Sequence, residues 1–286
     1  MTTQTPTGRH MPRPLKITLG IVGALFMLLV GISYLEFRRR QAQRKGEGYG
    51  EGHLPGAPFV DVDTVLAGPA GEGGRHPLPD VATLQAGLRT AGLGDDSRVV
   101  VYDQGTSLGA ARAWWVLRWA GVEDVRVLDG GLAAWRAAGG PVVTEPVAPE
   151  EVEIHLEADH LVELDAEDAV ATAKLGVLVD ARSPERYRGE TEPIDPVAGH
   201  IPGAVNVPMS DLVQPDGRLR PARVLRERFA REGIDEVTVV GTYCGSGITA
   251  AHTALALHEA GVDADVYVGS WSEWITDPSR PIAGTS

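Results

Sequence analysis

The sequence predicts an α/β protein built from two related units in tandem, each a parallel sheet flanked by helices, behind an apolar N-terminal segment. Three observations carry this. The chain has 286 residues, which fits two domains of about 100–150 residues each. The same phrases occur twice in the same order. Short β-branched runs alternate with helical stretches, the pattern of strands buried on both faces.

The repeat is explicit. "GHLPGA" at Gly52–Ala57 returns as "GHIPGA" at Gly199–Ala204. "VVVYDQGTSLGAARA" from Val99 is echoed by "VTVVGTYCGSGITAAHTA" from Val237, and "VLDGGLAAW", ending at Trp135, by "VYVGSWSEW", ending at Trp274. Phrases matched in order mark a duplicated domain. Strands are expected at 59–63, 98–103, 125–129, 176–181, 237–244 and 264–268. Helices are expected at Asp80–Ala91, Leu108–Ala120, Ala222–Arg231 and Ile248–Ala260. The stretch from Gly139, "GGPVVTEPVAPEE", is rich in Pro and Gly and reads as a linker. The expected boundaries are 49–140 for the first unit, 141–160 for the linker and 161–286 for the second unit. The strand at 176–181 has no counterpart ahead of Gly52, so the first unit reads as truncated at its start.

Residues 1–48 form a basic segment around "ITLGIVGALFMLLVGISYL", Ile17 to Leu35. At about 1.5 Å per residue, this uncharged run crosses most of a ~30 Å hydrocarbon core. Arg9, Arg13 and Lys16 precede it; Arg38, Arg39, Arg40, Arg44 and Lys45 follow it. The larger basic cluster lies after the span, which predicts a single-pass membrane anchor with the body in the cytoplasm. Two alternatives stay open. One is a signal peptide, against which stand its length and the lack of a small-residue cleavage site. The other is a replaced start on a cytoplasmic protein, with the apolar run in place of the missing strand.

Composition sets outer limits. Apolar content of 43% and charged content of 23% exclude wholesale disorder. Eight of the 26 Lys and Arg, but only one of the 39 acids, lie in residues 1–45, so the body is strongly acidic. That argues against nucleic acid as a partner. A single cysteine excludes an intramolecular disulfide framework and a Cys-rich metal site, and suits a reducing compartment.

That cysteine, Cys244, lies in "TYCGSGITA". It ends an apolar strand and precedes a Gly-containing loop and a helix, a place where open α/β sheets bind ligands. Gly245 and Gly247 let successive N–H groups curl into an anion-binding nest, and the helix start adds its dipole. Both favour a thiolate, so Cys244 is expected to be a nucleophile with a depressed pKa. The equivalent position in the first unit is Asp103, so one unit reads as active and the other as support.

The phrases "YGEGHLPGAPFV", "RHPLP", "ARAWWVLRWAG", "VLDGGLAAW", "VDARSPERYRGE", "GHIPGAVNVP", "CGSGIT" and "GSWSEW", in that order over roughly residues 49–280, resemble the tandem-domain sulfurtransferases of the rhodanese family. The resemblance implies two rhodanese-like folds, the first inactive and the second catalytic. It implies a Cys244 persulfide that carries a sulfane sulfur from a donor to a thiophilic acceptor, such as cyanide, a thiol or thioredoxin. No metal and no organic cofactor is implied. The loop Gly245, Ser246, Gly247, Ile248 and Thr249 carries no cation, unlike thiosulfate-type members, and looks like the 3-mercaptopyruvate type. That type implies a proton relay through Ser246, His76 and Asp63. Arg186 falls on the family's donor-binding arginine. Asp180 and Arg182 are expected to form a structural pair beside the site. Asp195 stands where that type has a second arginine, so the donor reads as one clamp short and Asp195→Arg as a gain. Trp114, Trp115, Trp135, Trp271 and Trp274 are expected in packing, and His53 and His200 in structural turns. Two other functions compete. A cysteine phosphatase on the related fold needs an arginine at the position of Ala250. A membrane-tethered, non-catalytic sulfur-carrier or regulatory module remains the main alternative.

Overall fold

Two helix starts in the chain are set by capping side chains. Asp80 caps α1 (Val81–Thr90) by accepting the Thr83 N–H, as short acceptor side chains do at helix N-termini. Asp165 and Asp168 form a reciprocal capping box on α4 (Ala166–Leu175). These elements belong to a computed structural model that describes residues 48–284, which lie in one compact unit, Gly48–Ser286. The segment expected to span a membrane, 17–35, lies outside the described residues. Among the described residues no helix is long and apolar enough to cross one.

The first half contains β1 (Val99–Val101), α2 (Leu108–Trp119), β2 (Val125–Val127) and α3 (Gly131–Ala137). Its strands pair in parallel, Val99 opposite Val125. The second half contains β3 (Val177–Asp180), α5 (Pro184–Arg188), β4 (Val205–Asn206), α6 (Ala222–Ala230), β5 (Val240–Tyr243), α7 (Ile248–Glu259), β6 (Asp265–Val266) and α8 (Ser270–Trp274). Its sheet runs β4-β3-β5-β6, all parallel.

The duplication extends to individual bonds. The Tyr102 hydroxyl accepts the Leu54 N–H at 3.0 Å, and the Tyr243 hydroxyl accepts the Ile201 N–H at 3.1 Å. His53 stacks on Tyr49 with ring centroids 3.7 Å apart, and His200 on Tyr187 at 3.8 Å. Trp135 and Trp274 each donate their indole N–H to a proline carbonyl, Pro141 and Pro281.

Residues 59–63 differ from expectation and form no strand. The Asp61 carboxylate closes a turn instead, accepting the N–H groups of Asp63 at 2.8 Å and Thr64 at 3.0 Å. The reason is a missing partner. In the second half β4 pairs with β3, but among the described residues the first half has no strand equivalent to β3. Pro58 also stands where Val205 starts β4, and proline brings no ladder donor. The first sheet therefore has two strands among the described residues, and Val100 is 58% exposed.

The halves share a core. Helices α2 and α7 pack on each other, and one apolar cluster joins Leu84, Trp115 and Val116 to Ala250, Ala254 and Val268. Trp114 and Trp115 are buried in it. Smaller clusters gather Leu225 and Phe229 of α6, and Tyr243, Trp271 and Trp274 at the far side of the second sheet.

Candidate active site

Cys244 follows the last residue of β5 and is 2% exposed. Two glycines shape the loop behind it. Gly247 has φ 80°, and a Cβ there would stand 2.5 Å from the Val268 carbonyl oxygen, so no side chain fits. The Ser246 N–H points at Cys244 Sγ, 3.4 Å away. From behind, Ser270 Oγ accepts the Cys244 N–H at 3.1 Å, and the Cys244 carbonyl accepts the Trp271 N–H at 3.0 Å. Ile248 and Thr249 form the half-buried first turn of α7.

The first half shows what such a loop binds. At the matching place, the Asp103 carboxylate accepts the N–H groups of Gly105 and Ser107 at 2.9 Å and of Gly109 at 3.0 Å. The amides close on an anion supplied by the chain itself, as a backbone nest does.

Ser246, His76 and Asp63 come together across the two halves. Ser246 Oγ lies 2.9 Å from His76 Nδ1, and His76 Nε2 lies 3.4 Å from Asp63 Oδ1. Arg186 is bound by Glu192, from Nε at 3.1 and 3.0 Å and from Nη2 at 2.7 Å, and its Nη2 also reaches Asp195 at 3.2 Å. Burial alone would raise the Glu192 carboxyl, but the Arg186 bond and the amides of Asp195 and Ile194 outweigh it and hold it low. Asp180 and Arg182 form a buried two-oxygen pair, with Nε at 3.0 Å from Oδ1 and Nη2 at 2.6 Å from Oδ2. Burial works against the Arg182 charge, yet Asp180 more than compensates and the guanidinium stays protonated.

Two arginines from the first half join the site without having been singled out in the sequence. Arg75 pairs with Asp195. Arg112, fully buried on α2, donates to the carbonyls of Leu66, His76 and Pro77. Its Nη1 has no hydrogen-bond partner among the described residues and would stand 3.2 Å from a Cβ on Gly247. Burial lowers its pKa to about 10, with Glu163 and Cys244 opposing. A signal for Arg112 was present, a lone charge within the buried stretch "GAARAWW". For Arg75 the one local hint was its place beside His76.

A profile of the Rhodanese-like domain matches residues 38–138 and again 159–277. A Mycobacterium tuberculosis protein named as a thiosulfate sulfurtransferase, SseB, is 46% identical over 258 residues, covering 88% of this chain and 90% of that protein. A Pseudomonas aeruginosa protein named as a 3-mercaptopyruvate sulfurtransferase is 47% identical over 247 residues, covering 82% of this chain and 85% of its own. Among solved structures, EanB carrying Y353A in complex with ergothioneine superposes with a TM-score of 0.77 at 26% identity, covering 85% of this chain. The chain spans 63% of the length of that EanB chain. The repeat, the paired α/β halves and these matches together show that the chain belongs to the rhodanese family.

Proposed function

We propose that the chain is a sulfurtransferase that moves a sulfane sulfur through a persulfide on Cys244. The observation that supports this best is the Ser246–His76–Asp63 chain beside the cysteine, built from both halves. Cys244 lies in the loop that leads into α7, with the Ser246 N–H directed at its sulfur at 3.4 Å.

With 3-mercaptopyruvate, the Cys244 thiolate attacks the donor sulfur. The new S–S bond forms as the donor C–S bond breaks, and the electron pair leaves on carbon as the pyruvate enolate. His76, through Ser246, takes the donor's thiol proton and returns it to that carbon, giving pyruvate. A thiophilic acceptor then attacks the outer sulfur; the S–S bond breaks and its electrons return to Cys244. Cyanide, a small thiol and thioredoxin are the acceptor classes proposed. With thiosulfate, the same attack expels sulfite and needs no proton. A relay therefore supports 3-mercaptopyruvate as the preferred donor, as does a loop from Gly245 to Thr249 without a cation.

A steady-state assay of both donors on wild type and Cys244→Ser tests the proposal. Wild type should turn over repeatedly with 3-mercaptopyruvate ahead of thiosulfate, and Cys244→Ser should lose both activities. Retained activity in the variant would overturn the nucleophile. A persulfide that forms once and never turns over would favour the sulfur-carrier alternative. The uncharged apolar run at 17–35, with its larger basic cluster after it, supports a membrane anchor for this chemistry, with the body on the cytoplasmic side. Release of the full chain from membranes by salt alone would contradict that.

A further inference from the structure

We infer that Arg75 is a donor-binding residue that, together with Arg186, forms a two-arginine clamp for the donor's carboxylate or sulfonate; this rests on the sulfurtransferase reading of the same site.

The backbone at this point is fixed from the second half. Gly74 has φ 94°, and a Cβ there would stand 2.7 Å from the Gly269 carbonyl oxygen and 2.8 Å from Ser272 Oγ. The Arg75 N–H donates to Ser272 Oγ at 3.0 Å. Ser272 in turn donates its own N–H to the Gly245 carbonyl at 3.0 Å. Arg75 and the cysteine loop are thus tied to one short helix.

The side chain completes the argument. The two oxygens of Asp195 hold two guanidiniums, Arg75 on Oδ1 and Arg186 on Oδ2. A Cβ on Gly245 would stand 2.9 Å from Arg75 Nη2, and 3.3 and 3.6 Å from Arg186 Nη2 and Nη1. Both cations therefore face the residue next to Cys244. Charge balance requires the second one. Without Arg75, Arg182 and Arg186 would face three buried carboxylates, Asp180, Glu192 and Asp195, a net negative cluster that repels an incoming anion. Arg75 brings the cluster to three cations against three carboxylates and so removes that repulsion, and its side chain is 31% exposed. Planar guanidinium donors held side by side suit a small carboxylate or sulfonate. In a chain of net charge -13, such a local pair is what an anionic donor requires.

The test compares KM and kcat for 3-mercaptopyruvate and thiosulfate in wild type, Arg75→Ala, Arg75→Gln and Arg75→Lys. Losing a charged hydrogen bond should raise KM roughly ten- to hundred-fold. Lysine should recover part of it, and kcat should stay close to wild type. Arg75→Gln keeps a donor to Asp195 without the charge and serves if Arg75→Ala fails to fold. A rise for one donor only identifies which anion the clamp takes. An unchanged KM for both donors, or a fall in kcat alone, would overturn the proposal and mark Arg75 as a support for His76. If wild type turns over neither donor, the sulfurtransferase reading fails, and pyruvate binding by calorimetry tests the clamp separately. Weaker pyruvate binding in Arg75→Ala would support it; equal binding, or none to wild type, would overturn it.

Discussion

His76 meets a different partner at each ring nitrogen. Ser246 Oγ lies 2.9 Å from Nδ1 and Asp63 Oδ1 3.4 Å from Nε2, and a carboxylate can only accept, so the proposed relay requires the tautomer with its proton on Nε2 and Nδ1 open to the Ser246 hydroxyl. That tautomer is the one a base near Cys244 requires. His76→Ala should therefore lower kcat for 3-mercaptopyruvate by roughly 10²–10⁴, with a smaller effect on KM. A pure rise in KM would contradict the relay. Asp195 has the opposite lesson. Its position in the sequence reads as a lost arginine, yet its side chain is 3% exposed between two guanidiniums. Asp195→Arg would crowd three cations and break a buried pair, at a cost of roughly 3–5 kcal/mol. Chemical denaturation should show the loss, and 3-mercaptopyruvate activity should fall; a rise would contradict this assignment. Cys244 stood out from its own phrase, whereas the grouping of Ser246, His76 and Asp63 was named only through the family resemblance, and the structure brings the three together. Arg75 was not legible, because its meaning comes from a partner 120 residues away.

Helices α2 and α7 occupy equivalent places in the repeat and pack on each other. Each buries one titratable side chain. From α2 it is Arg112, beneath Gly247; from α7 it is His252, whose charge state feels Asp103. His252 is buried, and neither ring nitrogen has a hydrogen-bond partner among the described residues. Burial holds its pKa down to about 4, with Asp103 opposing. The unfolded chain binds a proton near pH 6.5 and the folded chain does not until about 4. This contribution to stability is therefore fully present above 6.5 and is lost as pH falls toward 4, by about 3 kcal/mol at most. Denaturation at pH 7 and at pH 5 should show the fold weakening, and His252→Leu should show less of that decline. An identical decline in the variant would exclude His252 as its source. The four helices and five of the six strands expected from the sequence are present within a few residues, whereas the helices Gly131–Ala137, Ala166–Leu175, Pro184–Arg188 and Ser270–Trp274 and strand Val205–Asn206 were not among those expected. At 59–63 the alternation of a strand is present but no strand forms, and the lack of a counterpart to the 176–181 strand ahead of Gly52, legible in the sequence, matches the lack of one among the described residues.

The site exists only in the whole molecule. The first half supplies Asp63, Arg75, His76 and Arg112; the second supplies Cys244, Ser246 and Arg186. The duplicated loops have diverged in what fills them. One is closed by its own carboxylate at Asp103, and the other presents a thiol at Cys244. The repeat was visible in the sequence, but the apolar core shared between α2 and α7 was not, because repeated phrases say nothing of how their helices meet. That core predicts that Gly48–Ser286 unfolds in one cooperative transition. Tryptophan fluorescence and far-UV circular dichroism should give the same midpoint; two separated transitions would show that the halves fold independently. Intact-protein mass spectrometry after incubation with 3-mercaptopyruvate tests the central claim most directly. The account predicts one added sulfur on wild type, removed by cyanide and absent from Cys244→Ser. A wild type that gains no sulfur, or a Cys244→Ser that gains one, would contradict it.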